Sequence, residues 1–222
     1  MIPIRDRNPS GIFPYITVGI ILVNVLVFLF ELSLGGQLSS FLFQFGVVPA
    51  RVSSYQEISD ATFTNTYFPF FSYMFLHGGF IHLIGNMWYL WIFGDNIEDM
   101  LGRVRYILFY LMCGIGSAVV HVYINSESSF PCIGASGAVA GVLGAYMISY
   151  PKARVLVVLP LFIVWQLIEL PALVVLGFWF LLQFFSGAAS ISSAAQGSGV
   201  AWWAHIGGFI LGITLIKILR KT

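Results

Sequence analysis

Long apolar runs separated by short polar punctuation dominate this chain. Six of them approach the length of about 20 helical residues that a hydrocarbon layer of about 30 Å demands. They are Phe13–Leu34, Phe80–Gly94, Tyr106–Asn125, Ser136–Tyr150, Leu170–Phe185 and Val200–Leu219. The second, fourth and fifth are short and are expected to extend into flanking residues. The pattern predicts an all-α membrane protein, a bundle of six transmembrane helices in a single domain over residues 1–222. The first run is too long for a secretory leader and follows Arg5 and Arg7, so it reads as a retained span behind a tail, 1–12, with the mature chain beginning near Met1.

Between the first two runs, residues 35–75 are too rich in Phe and Tyr for a plain solvent loop. They suit an outer hairpin or interfacial helix at headgroup depth, where aromatic rings are favoured. The segment 155–168 is interrupted by Pro160 and followed by Glu169 and Pro171, so it is assigned to an interfacial or re-entrant piece. Ser186–Gly199, rich in Ser, Gly and Ala and uncharged, reads as a flexible connection, either a gate or a mere linker.

Composition closes off other classes. With 59% hydrophobic and 9% charged residues, the chain cannot be a soluble globule, whose charged share is about 25%. A net charge of +1 without a basic stripe gives no hint of nucleic acid. Six spans gather nine of the ten Lys and Arg residues on one side, with only Arg51 opposite, which predicts cytoplasmic N- and C-termini. Cys113 and Cys132 read as free thiols, and His121, taken to lack a polar companion at helical spacing, reads as structural. Glu98 is placed in a polar cytoplasmic turn, Gly94–Arg103, where a pair with Arg103 or Arg105 is open to it and a surface or structural role is the default.

The candidate chemistry lies in polar side chains within apolar spans, which are costly and tend to face the bundle interior. His82 and Asn86 are four residues apart and share a helical face. Alone, such a pair is more simply interhelical glue. Ser136 opens the fourth span and His205 lies about five residues, or roughly 7 Å, into the sixth. Under the charge-derived topology all four groups fall in one outer layer. Gly137 with Gly141, and Gly208 with Gly212, are small-xxx-small pairs that would let the fourth and sixth spans pack closely. That approach would bring the Ser136 hydroxyl to the His205 ring, the arrangement by which a base activates a weak nucleophile. The Asn86 amide, the His82 ring and the Ser136 backbone N–H are candidate oxyanion donors. No acidic residue is found in an outer half-span to orient His205.

His-Glu-x-x-His is absent, and so is a pair of intramembrane aspartates. Gly134-Ala-Ser-Gly-Ala138 lacks the second glycine of the soluble nucleophile elbow. No cofactor or metal is expected. The remaining alternatives are a catalytically silent binder of membrane proteins and, more weakly, a small-solute transporter.

Several motifs taken together resemble the rhomboid intramembrane serine proteases. They are Phe75-Leu-His-Gly-Gly with His82-x-x-x-Asn86, Gly94-x-x-x-Glu98-x-x-x-Gly102, Gly134-Ala-Ser-Gly137 and Ala204-His-x-x-Gly-x-x-x-Gly212. The resemblance spans roughly Pro69 to Gly212. It implies a protease that cuts transmembrane segments of other proteins near the outer surface, at small residues followed by helix-weakening ones. Ser136 would be the nucleophile, His205 the base, and His82 and Asn86 oxyanion donors. The fifth span and its loop, roughly Pro171–Gly199, would gate entry. The partners implied are transmembrane substrates and the lipid bilayer, and the location expected is a bacterial cell (inner) membrane. Many relatives carry an aromatic residue four positions after the serine, where this chain has Ala140. A ring from elsewhere, such as Trp202 or Trp203, would then pack on His205.

Overall fold

The computed structural model describes residues 1–54, 62–161, 164–192 and 201–220. In chain order it contains strand β1 (Ile2–Asp6), helix α1 (Tyr15–Ser33), four short helices α2 (Leu38–Phe45), α3 (Pro49–Ser53), α4 (Phe63–Tyr67) and α5 (Pro69–Ser72), then α6 (Phe80–Leu101), α7 (Arg103–Ile124) and α8 (Ser136–Ser149). Strands β2 (Arg154–Leu161) and β3 (Val164–Pro171), then α9 (Ala172–Ser192) and α10 (Trp202–Leu219), complete it. Among the described residues, the helices long and apolar enough to cross a membrane are α1, α7, α9 and α10. α6 has the length but carries many polar groups, and α8 is shorter.

The protein is therefore mostly helical rather than all-α. The described residues within 155–168 belong to the antiparallel strands β2 and β3, and β1 joins the edge of β2 to make the order β1-β2-β3. Val155 and Val157 are buried while their neighbours are more open, the period-2 alternation of a half-buried strand. The predicted tail thus contains an ordered strand. Trp88 Nε1 donates to Pro3 O at 2.7 Å, the Tyr146 hydroxyl donates to Asp6, and Arg7 pairs with Glu169. Burial pushes the Asp6 carboxyl above its ordinary range.

α1, α7 and α9 begin where α6, α8 and α10 end. Arg105, near the start of α7, donates to Leu219 O at the end of α10 (3.1 Å), and Leu173 N–H at the start of α9 donates to Pro151 O (3.1 Å). Apart from Arg51, the described Lys and Arg residues all lie at this sheet end of the bundle.

Gly94–Arg103 is not a turn. α6 continues to Leu101 and stops at Gly102, whose φ of 75° falls in the left-handed region that favours glycine. Glu98 is fully buried and forms no pair with Arg103 or Arg105. It accepts the N–H groups of Ile16 (3.0 Å) and Thr17 (2.8 Å) and the Thr17 hydroxyl (2.9 Å). A carboxylate here satisfies orphan donors at the positive end of α1 and fixes α1 to α6. Glu98→Ala would strand those donors, and the expected loss is about 3 kcal/mol or more of stability, checked by thermal unfolding in detergent.

The aromatic segment folds as the short helices α2 to α5. Phe30, Phe41, Phe45, Phe68, Phe71 and Phe75 form a relay of rings with centroids 4.7–6.4 Å apart. At the centre of the bundle, α8 is buried at every residue from Gly137 to Tyr146. A helix built of small residues and apolar all round can be enclosed in this way.

Candidate active site

The loop leading into α8 is held from two sides. Val47 and Cys132 exchange backbone hydrogen bonds of 3.0 and 2.7 Å, and Gly134 N–H donates to Tyr73 O at 2.9 Å. Gly134 has φ of 121°, and a Cβ there would lie 2.7 Å from His82 Cε1 and Nε2. Glycine is therefore required for the chain to pass the His82 ring and present Ser136 at the first position of α8. Cys132 and Cys113 are both buried and free.

The parallel helices α8 and α10 meet backbone to backbone. A Cβ on Gly208 would overlap the Gly137 carbonyl, and one on Gly212 would overlap the Gly141 carbonyl and Cα. Gly141 also abuts Cys113, and Gly137 abuts Ser117 on α7. This approach seats His205, in the first turns of α10, with Nε2 2.8 Å from Ser136 Oγ. Both side chains are half-buried, so the pair is not sealed within the core.

The other face of the His205 ring is supplied by α9. Gln183 Oε1 lies 2.7 Å from Nδ1, and the Trp179 ring lies 6.0 Å away at 34°. Trp202 meets the ring edge-on, with centroids 6.1 Å apart at 85°. Of the two rings expected to replace the one missing at Ala140, Trp202 touches His205, whereas Trp203 lies toward Gly187. Trp179 fills the remaining side.

His82 and Asn86 both face Gly134, two residues before the serine. His82 Nδ1 accepts the Gly78 N–H at 3.4 Å, so a neutral ring carries its proton on Nε2, the nitrogen beside Gly134. Asn86 is buried, and its Nδ2 lies 3.0 Å from His77 Nε2. Burial, with the adjacent His82 ring adding to it, holds the His77 imidazole down to about 3, so it is neutral and can accept one amide hydrogen. The second hydrogen of Asn86 Nδ2 is left for another acceptor.

Two expectations change here. An acidic residue does occupy this half of the bundle: Glu31, only 1% exposed, at the end of α1. Both of its oxygens accept the His77 N–H at 3.2 Å, so it supports the loop that carries His77 and does not orient His205. His121 does have a polar companion at helical spacing, since Asn125 Nδ2 lies 3.4 Å from its Nδ1. Of the stretch expected to be a flexible connection, residues 186–192 are part of α9, and 193–199 lie outside the described residues.

Sequence reasoning passed over Gln183, Trp179 and Glu31, and gave no role to His77 within its Phe75-Leu-His-Gly-Gly motif. The signal for Gln183 and Glu31 was the one that found His82 and Asn86, a polar side chain within an apolar span.

The Rhomboid domain family model matches residues 64–222. Rhomboid-like protein 6, mitochondrial, of Arabidopsis thaliana is 32% identical over 150 residues, covering 66% of this chain and 41% of the relative. Rhomboid protein 1, mitochondrial, of Saccharomyces cerevisiae is 30% identical over 148 residues, 63% of this chain and 38% of the relative. A Bacillus subtilis protein bearing a rhomboid-protease name is 36% identical over 72 residues, 32% of this chain and 36% of the relative. The chain thus matches only about two-fifths of the length of these curated relatives. Mitochondrial and plant names among them give a bacterial inner membrane no support as the particular location. What stands is an integral, multi-pass membrane protein, and the chain belongs to the rhomboid family.

Proposed function

We propose that the protein is an intramembrane serine protease that needs no cofactor and hydrolyses peptide bonds in or near transmembrane segments of other membrane proteins. The observation that carries this reading is the 2.8 Å contact between Ser136 Oγ and His205 Nε2. In this reading α1, α6, α7, α8, α9 and α10 are the six spans. It also has both termini in the cytoplasm and the site toward the outer surface, a reading supported by the gathering of cations at the sheet end.

The Ser136 proton passes to His205 Nε2 as Oγ attacks the scissile carbonyl carbon. The negative charge that develops on the carbonyl oxygen meets donors already in position. These are the N–H groups of the first turn of α8, which have no intrahelical acceptor, the second Asn86 amide hydrogen, and His82 Nε2–H. His205 then returns the proton to the leaving amine as the C–N bond breaks, leaving an acyl-serine. A water, deprotonated by His205, releases the acid and restores the hydroxyl.

Asn86→Ala is expected to lower turnover by on the order of 10²–10³, the usual cost of one oxyanion donor, with the serine still in place. The check is the initial rate on a fluorogenic single-span substrate, and an unchanged rate removes Asn86 from the mechanism. The reading as a whole is tested by incubating the detergent-solubilised protein with a single-span membrane protein and mapping the products by mass spectrometry. One cut within or beside the apolar segment is expected. An intact substrate that nevertheless co-purifies with the protein would make the chain a binder instead.

A further inference from the structure

The geometry points to Gln183 as a third member of the site, a neutral positioning residue on α9 that fixes the tautomer and orientation of His205. This rests on the protease reading above and assigns a role to a residue outside the Ser136 and His205 pair.

A glutamine is costly in an apolar helix unless its amide finds a partner. Gln183 is nearly buried, and its Oε1 is 2.7 Å from His205 Nδ1. Trp179 lies four residues earlier, on the same face of α9, and its ring packs against the same imidazole. α9 therefore presents two side chains to one ring, a polar one to Nδ1 and a flat apolar one to a face.

An amide oxygen only accepts, so Nδ1 must carry the proton, and a neutral ring then offers a lone pair at Nε2. That lone pair is 2.8 Å from the Ser136 hydroxyl. The reversed amide would donate to Nδ1, putting the ring proton on Nε2 and leaving nothing there to accept the serine proton. In serine proteases with a full triad an aspartate plays the orienting part and also stabilises the imidazolium. Gln183 supplies the first effect without the second. Among the described residues no carboxylate bonds the ring, and the titratable groups around it are the imidazoles of His82 on α6 and His121 on α7.

The test combines kinetics with ¹⁵N NMR of the histidine-labelled protein in detergent micelles. The variants are Gln183→Leu, Gln183→Met and Gln183→Glu, and thermal unfolding checks that each one folds. The parent is expected to show His205 with its proton on Nδ1. Leu and Met are expected to lose that tautomer as the dominant form and to lower kcat about ten- to a hundredfold, with KM within about twofold. Met keeps the length of the side chain, so the same loss in both separates the acceptor from packing. Gln183→Glu retains an acceptor and adds charge, which favours the imidazolium. It is expected to keep the Nδ1 proton and activity within a few-fold, and to move the acid limb of kcat/KM to higher pH.

The inference is overturned if Leu and Met keep the Nδ1 proton, or if they lose it with kcat unchanged. A parent that cuts nothing but shows the Gln183-dependent tautomer would overturn the protease reading and leave the contact standing. Loss of cleavage in Leu and Met with the tautomer intact would make Gln183 a packing residue only.

Discussion

Replacing Ser136 with alanine is expected to bring cleavage of a single-span substrate down by on the order of 10⁴–10⁶, to a rate indistinguishable from a preparation without enzyme. In the protease reading this hydroxyl is the atom that becomes covalently bonded to the substrate, and among the described residues it is the one hydroxyl bonded to His205. Ser117 bonds Tyr73 and Gly114 on the other side of α8, and both cysteines are buried. His205→Ala is expected to cost nearly as much, because an unactivated serine is a poor nucleophile. If Ser136 and His205 are nucleophile and base, the double variant should lose no more than either single one, since such a pair acts as a unit and its effects do not add. The fold is expected to survive Ser136→Ala, which removes one oxygen from a half-buried position bonded to His205. Initial rates on a fluorogenic substrate, with thermal unfolding as the control, check both statements.

Gly208→Val is expected to act on the fold itself. A Cβ at Gly208 would overlap the carbonyl of Gly137, which is backbone and cannot swing aside as a flexible side chain can. Relief requires α8 and α10 to separate, and that pulls His205 away from Ser136. A loss of about 3 kcal/mol or more is expected, together with loss of cleavage. The same holds for Gly212→Val, which would meet the Gly141 carbonyl and Cα. Gly85 and Gly177 provide the contrast, because a Cβ there meets nothing within 4 Å. Gly85→Ala and Gly177→Ala should be neutral or stabilise the helices by about 0.5–1 kcal/mol. Unfolding in a denaturant series separates the two groups of glycines, and equal behaviour would refute the close-packing account of α8 and α10.

The apolar helices were legible because a hydrocarbon layer imposes length and apolarity, and their ends agree within a few residues except that α6 runs on to Leu101 and α9 to Ser192. The first of these falls within Gly94–Arg103. There Asp95, Asn96, Glu98 and Asp99 resembled a solvated turn, yet Glu98 is buried because α1 brings donors to it that lie some 80 residues away in sequence. A contact of that range leaves no local signature. The pairing of β2 with β3 was missed for a different reason. Their alternating Val and Leu residues carry the period of a strand, but an apolar run in a membrane protein is easily assigned to a helical or re-entrant piece, and the strand's partner, β1, sits at the other end of the sequence. The proximity of Ser136 and His205 was legible because the glycine pairs at matching spacing let α8 and α10 meet backbone to backbone. What surrounds His205 was not, since Gln183 and Trp179 come from α9, whose rotation about its axis the apolar pattern barely specifies.

The decisive measurement is covalent labelling of the detergent-solubilised protein by a serine-reactive fluorophosphonate, followed by peptide mapping. The parent should carry the label on Ser136 alone. Ser136→Ala should carry none, and His205→Ala should label far more slowly because the hydroxyl is no longer activated. Label on another residue, or Ser136→Ala cleaving substrate as fast as the parent, would contradict the serine protease reading.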